Sequence, residues 1–225
     1  MPIQKKLLIV EDHLLTVDVY QKAIALVDIK FETIIALGLS EAHKAITNPL
    51  HKDVTGIILD LSFKTVYNSG DAYYESGVDL LPLIERHMPK AKVLVVTASF
   101  STITLKALEN EYNLRGVLIK CDMDLDFLIE TLQSIDEDKF TCTPTYRDAV
   151  ENLKKFEALD HIDLKILQGI YQNKSLIEIA SEVALSLSAI KKRKAKIKDV
   201  FGLETNSDFE LLKVLRANNF IDTLI

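Results

Sequence analysis

Four short apolar runs each deliver a polar group with chemical capability. The run 7-LLIV-10 leads into Glu11 and Asp12, 57-IILDL-61 carries Asp60, 93-VLVV-96 is followed by Thr97, and 116-GVLI-119 is followed by Lys120. Three carboxylates brought within a few ångströms repel one another and raise each other's pKa. A hard divalent cation removes that conflict. Mg²⁺ favours carboxylate oxygen and binds one or two carboxylates together with a phosphate, and it neutralises an incoming phosphoryl group. Asp60 would then serve as a nucleophile that forms an aspartyl phosphate. The Thr97 hydroxyl and the Lys120 ammonium would hold the phosphoryl oxygens.

These groups work together only if the chain places them together. A fifth, weaker run, 31-FETIIAL-37, joins the four, and between them lie segments with helical spacing: 14–26, 77–87, 101–110 and 124–135. Continuous apolar strands alternating with amphipathic helices imply a parallel sheet covered on both faces. The expectation is a doubly wound, five-stranded α/β domain over residues 1–134. In such sheets ligands sit beyond the carboxyl ends of the strands, where the five polar positions converge. No glycine-rich phosphate loop follows the first run, so nucleotide binding is not expected.

The segments 8-LIVEDH-13, 57-IILDL-61, 94-LVVTAS-99 and 116-GVLIK-120 together resemble the receiver domain of two-component response regulators, over residues 5–135. The resemblance implies a flavodoxin-like fold with Asp60 as phosphoacceptor. It implies Mg²⁺ held by Glu11, Asp12, Asp60 and the Ser62 backbone carbonyl, and a histidine kinase as partner. The chain departs from the family in three places. The stretch 61-LSFKTVYNSGDAYYESG-77 replaces a Met-Pro pair and is about nine residues longer, and it reads as a surface insertion over the site, a gate or a decoration. Val117 stands where the family often has Tyr or Phe, and Cys121 stands where a proline often follows the lysine.

Residues 136-DEDKFTCTPTYRD-148 are polar, and a linker is expected at 135–155, with a helix over 149–159. Beyond it lies a charge anomaly. The chain has net charge −6, yet Lys191–Lys198 holds six bases, and no acid occurs from Ala189 to Lys198. Helices are expected over 162–173, 175–184, 187–201 and from Ser207 to about Asn218, with Asp160 capping the first and Gly202 stopping the third. A tight turn between the second and third makes a helix-turn-helix unit in a four-helix domain, 156–225. On the third helix Ile190, Ile197 and Phe201 face the core. Lys191, Lys194 and Lys198 form a basic ridge, with Arg193 and Lys196 beside it. Such a helix suits a DNA major groove, with Ser188, Lys191, Lys192, Arg193 and Lys196 as contacts.

Residues 159–203 resemble the LuxR-type helix-turn-helix of the NarL/FixJ subfamily. Ile179 and Ala180 match its "IA" pair, Ser186 its helix-opening serine, Ile190 and Lys191 its "VK" pair, and Asp163 its first-helix acid. Arg193 stands where His is frequent, Lys196 where Asn is, and Ala189 where Thr is. The resemblance implies a dimer-forming last helix and therefore a homodimer when active. The expected protein is a DNA-binding transcription regulator controlled by Mg²⁺-dependent phosphorylation of Asp60. The alternative is a DNA-binding regulator whose receiver serves only for dimerisation. A turnover phosphatase is not expected, because the general acid such an enzyme wants two residues after its nucleophile is here Ser62. No apolar run reaches a membrane span, the N-terminal run is too short for a signal-peptide core, and Cys121 and Cys142 suit a reducing compartment. A cytoplasmic protein is expected.

Overall fold

The computed structural model describes residues 5–70, 72–98, 101–135, 137, 139–203, 207–218 and 220. In chain order the elements are β1 (Lys5–Val10), α1 (Leu14–Leu26), β2 (Phe31–Ala36), α2 (Leu39–Thr47), β3 (Val54–Asp60), β4 (Tyr67–Asn68), β5 (Tyr73–Tyr74), α3 (Leu81–His87), β6 (Lys92–Thr97), α4 (Thr102–Glu111), β7 (Leu114–Ile119), α5 (Leu125–Gln133), β8 (Thr141–Cys142), α6 (Pro144–Glu157), α7 (His161–Tyr171), α8 (Leu176–Glu182), α9 (Leu187–Val200) and α10 (Asp208–Ala217). The chain divides into two compact units. One comprises residues 1–100 with 104–146, the other residues 147–225 with 101–103. Among the described residues no helix is long and apolar enough to cross a membrane.

The first unit is a parallel sheet in the order β2-β1-β3-β6-β7-β8. Leu7, Ile9, Ile58, Leu94 and Leu118 are buried on one face against Val17 and Tyr20 of α1 and Leu128 and Leu132 of α5. Their neighbours Leu8, Val10, Ile57, Leu59, Val95 and Val117 are equally buried. Each fully buried Leu or Ile contributes roughly 1.5–3 kcal/mol, so strands apolar on both faces are stable only with both faces covered. That requirement produces the doubly wound fold expected from the continuous apolar runs.

Two features depart from the five-stranded expectation. The expected linker, 135–155, carries β8, which pairs with β7 through Val117 and Cys142, and most of α6. The Thr143 hydroxyl then accepts the Ile119 N–H at 3.0 Å. The insertion after β3 is a hairpin of β4 and β5, paired antiparallel. Tyr67 and Tyr74 stack with centroids 5.7 Å apart, and both rings lie within 6 Å of the His43 ring on α2. His43 Nδ1 and the Tyr74 hydroxyl share a hydrogen bond of 2.9 Å. The aromatic side of the hairpin is therefore spent on α2. Its chain returns to the sheet at Gly77, whose N–H donates to the Leu61 carbonyl at 3.0 Å. A Cβ there would lie 2.0 Å from the Asp60 carbonyl oxygen, an approach only glycine allows.

The second unit holds the helix-turn-helix. Asp160, Ser175, Ser186 and Ser207 cap α7, α8, α9 and α10, each accepting backbone N–H groups through its side-chain oxygen. These oxygens satisfy donors that the first helical turn leaves open, and they set the helix starts within a residue of the sequence expectation. Ala184, at φ 55, makes the tight turn between α8 and α9, and Gly202, at φ 68, follows α9. Ile166, Leu167, Ile179, Ile190, Ile197, Phe201, Leu211 and Leu215 form the core.

Candidate functional site

Strand register explains how the distant acids meet. Val10 pairs with Leu59, so Glu11 and Asp60 are level across β1 and β3. Asp60 pairs with Val96, and Thr97 with Ile119, one residue before Lys120. All five polar positions thus leave the sheet at its carboxyl edge, beside the β1/β3 reversal of winding where doubly wound folds bind ligands. Glu11 and Thr97 are fully buried, and Asp60 is 2% exposed.

Lys120 Nζ donates to Glu11 Oε2 and to Asp60 Oδ2, each at 2.8 Å. Burial works against its charge, but the two carboxylates outweigh burial and hold the ammonium above the ordinary lysine range. Burial pushes the Asp60 carboxyl up; Lys120 and the Ser62 N–H, bonded at 3.1 Å, pull the other way, and Glu11 adds to the rise. Asp12 Oδ2 accepts the Lys64 N–H at 3.3 Å. Asp12 Oδ1 is buried and makes no hydrogen bond, although His13 Nδ1 stands 2.8 Å away.

The ligand atoms of Glu11, Asp12, His13 and Asp60 all lie within 4.8 Å of one another. The three carboxylates of this set are hard oxygen ligands, one with a buried oxygen that makes no hydrogen bond, and they fit a divalent cation such as Mg²⁺. Two residues around these acids were not anticipated. His13 reaches both acids, with Nδ1 also 3.1 Å from Glu11 Oε1. The buried Tyr20 hydroxyl donates to Glu11 Oε2 at 3.4 Å, and burial first, then Glu11, raises its pKa. The adjacency of His13 to the acid pair was a usable signal, whereas Tyr20 arrives only through the packing of α1.

On α9 the bases separate into two groups. Ser188, Lys191, Lys192 and Lys196 are exposed, at a spacing that keeps them on one face. The inward bases are already engaged. Arg193 Nη1 donates to Asp160 Oδ2 at 2.7 Å and to Asp163 Oδ1 at 2.6 Å. Lys194 Nζ donates to Asp208 Oδ2 at 2.6 Å, and Lys198 Nζ lies 3.0 Å from Asp208 Oδ1. The expected ridge of Lys191, Lys194 and Lys198 is therefore broken, because Lys198 is 5% exposed and turned to the interior. The missed partners are Asp160 and Asp208, acids on other helices, together with the ion-pair role of Asp163.

No protein-family model and no curated protein matches the chain in sequence. Solved structures match its fold. The RcsB response regulator of Salmonella typhimurium is 20% identical with a TM-score of 0.55, covering 98% of this chain and 100% of its own. RcsB dimers bound to two parallel DNAs match at 21% identity and TM-score 0.53, covering 95% and 98%. The isolated REC domain of RcsB from Salmonella enterica serovar Typhimurium, with the phosphomimetic BeF3-, matches at 20% and TM-score 0.52, covering 64% of this chain and 97% of its own. The chain has the fold of a receiver joined to a helical helix-turn-helix unit.

Proposed function

We propose that the chain is a DNA-binding response regulator. Its first unit accepts a phosphoryl group on Asp60 from a histidine kinase, and its second unit binds double-stranded DNA as a homodimer. The observation that carries this reading is the Lys120 ammonium held 2.8 Å from both Glu11 and Asp60 at the carboxyl edge of a parallel sheet. The fold shared with RcsB, whose dimers are seen on DNA and whose receiver is seen with a phosphomimetic, supports it.

Glu11, Asp12, Asp60 and the Ser62 carbonyl would hold Mg²⁺, which offsets negative charge on the transferring phosphoryl group. An Asp60 carboxylate oxygen attacks phosphorus, and the bond from phosphorus to the donor nitrogen breaks, leaving its electron pair on the donor imidazole. Lys120 then turns from its two carboxylates to the new phosphoryl oxygens, and Thr97 supplies a hydroxyl donor. The modified site shifts a two-state equilibrium toward the dimer on paired half-sites. Ser188, Lys191, Lys192 and Lys196 face the duplex, the lysines mainly toward phosphates. The chain acts as a switch rather than a turnover enzyme, in the cytoplasm where its DNA lies.

The test is intact-mass analysis after incubation with Mg²⁺ and acetyl phosphate, with Asp60→Ala alongside. One phosphoryl adduct on the wild type alone, together with tighter duplex binding by the modified protein, is the expected result. Duplex binding with no adduct from either acetyl phosphate or a kinase would leave DNA binding without phosphorylation, with the receiver reduced to a dimerisation module. Steady release of inorganic phosphate from phosphomonoesters would instead make the protein a phosphatase.

A further inference from the structure

Arg193 sits amid the basic run of α9, yet its surroundings differ from those of Lys191, Lys192 and Lys196. Its guanidinium meets two carboxylates at 2.6–2.7 Å, and one of them, Asp163, is only 1% exposed. Asp160 and Asp163 are also the two members of the capping box that opens α7. Each acid thus has two tasks, holding N–H groups of its own helix and holding Arg193. Anions are favoured at a helix N-terminus, and a cation reaching these two acids ties α9 to that end of α7. Lys194 and Lys198 repeat the device on the other side, where Asp208 is the first residue of α10.

We propose that Arg193 is a positioning residue and not a phosphate contact: with Lys194 and Lys198 it staples α9 to the N-terminal ends of α7 and α10, leaving Lys191, Lys192 and Lys196 to meet the DNA backbone. The inference rests on the DNA-binding reading above and deepens it by dividing the six bases into two roles. The division has a physical basis. A buried carboxylate stripped of its cation is strongly destabilising, so Asp163 retains Arg193 in the bound state as well as the free one. A phosphate contact, by contrast, requires a base that meets solvent before binding and releases counterions on binding.

Salt dependence separates the roles. Full-length protein is titrated into a fluorescein-labelled, mixed-sequence duplex over a range of salt concentrations. Lys191→Gln, Lys192→Gln and Lys196→Gln are each expected to lower the magnitude of the log K against log [salt] slope by about 0.9, the value of one phosphate contact. Arg193→Gln is expected to keep the wild-type slope, to weaken binding by one factor at every salt, and to melt at lower temperature. A slope reduced by about 0.9 in Arg193→Gln would make it a phosphate contact and overturn the inference. Asp160→Asn gives a second decision, since Asn still caps α7. It removes a negative charge beside the duplex, so electrostatics alone predicts tighter binding, whereas loss of the staple predicts weaker binding. Tighter binding overturns the proposal. If the wild type binds no duplex at any salt, the DNA-binding reading fails. The staple is then judged by melting alone, where Arg193→Gln melting as the wild type does would sink it too.

Discussion

The carboxyl edge of the sheet and the face of α9 are mirror images in charge. The first gathers acids and places one half-buried cation, Lys120, among them. The second gathers bases and places acids of neighbouring helices among them. In each, internal pairing removes part of the charge, and the part left over is the part suited to a ligand. At the sheet that remainder is Asp12 with its hydrogen-bond-free Oδ1, beside His13. On α9 it is Lys191, Lys192 and Lys196. The comparison teaches that a charge cluster identifies a site only after its internal partners are subtracted. It also exposes a difference. On the proposed function Lys120 bridges two carboxylates that the chemistry needs and would move when the site acts, whereas Arg193, as a positioning residue, bridges two carboxylates that hold helices together.

Removing the internal cation of each cluster tests whether the two are built alike. Lys120→Met leaves Glu11 and Asp60 buried without their ammonium, and breaking a buried pair in this way costs about 3–5 kcal/mol. Urea unfolding should show that loss, and Mg²⁺ should raise the melting temperature more in Lys120→Met than in the wild type, because the cation replaces the missing charge. Equal Mg²⁺ effects would mean that the acids do not form a cation site.

A smaller effect belongs to the other cluster. Arg193 first, then the backbone N–H of Asp163, lowers the Asp160 carboxyl from the ordinary 3.8 to about 2. A depressed carboxyl contributes stability that is fully present above its unfolded pKa and is lost as pH falls through the folded value. The gap in melting temperature between wild type and Arg193→Gln should therefore be constant near neutrality and shrink between pH about 4 and about 2. A gap that stays constant through that window would show that Arg193 acts on Asp160 by packing and not by charge.

The smallest effect tests the turn that presents α9. Ala184 adopts φ 55, a conformation that costs a residue with a Cβ roughly 1 kcal/mol. Ala184→Gly removes that strain but adds backbone freedom to the unfolded chain, so a net gain of at most about 1 kcal/mol is expected in denaturant unfolding, with duplex affinity unchanged. An affinity loss would mean that the strained turn sets the pose of α9.

Much of this architecture was legible because it is written in short-range patterns. Runs such as 7-LLIV-10 and 93-VLVV-96 declare buried parallel strands, and the residue after each run is then forced to the carboxyl edge. Asp160, Ser186 and Ser207 mark helix starts because a side-chain oxygen at that position meets N–H groups only two or three residues on. Other features gave no such signal. The hairpin of Tyr67 and Tyr74 depends on His43 on α2, and β8 became a strand only because β7 offered its free edge. Tyr146, expected within a linker, is buried with its hydroxyl donating to Glu109 at 2.9 Å.

The residue order alone set the alternation of elements, the inventory of acids and bases, and the crevice at which Glu11, Asp12, Asp60, Thr97 and Lys120 converge, since continuous apolar runs and 3.6-residue periodicity are local signals and a parallel sheet leaves strand ends nowhere else to go. Which charges were already satisfied followed from the three-dimensional packing instead. Arg193 and Asp160 are 33 residues apart, and Lys120 and Glu11 are 109 apart. An ion pair depends on distances of a few ångströms, and distances across such separations are set by the packing of whole helices and strands rather than by any pattern along the chain.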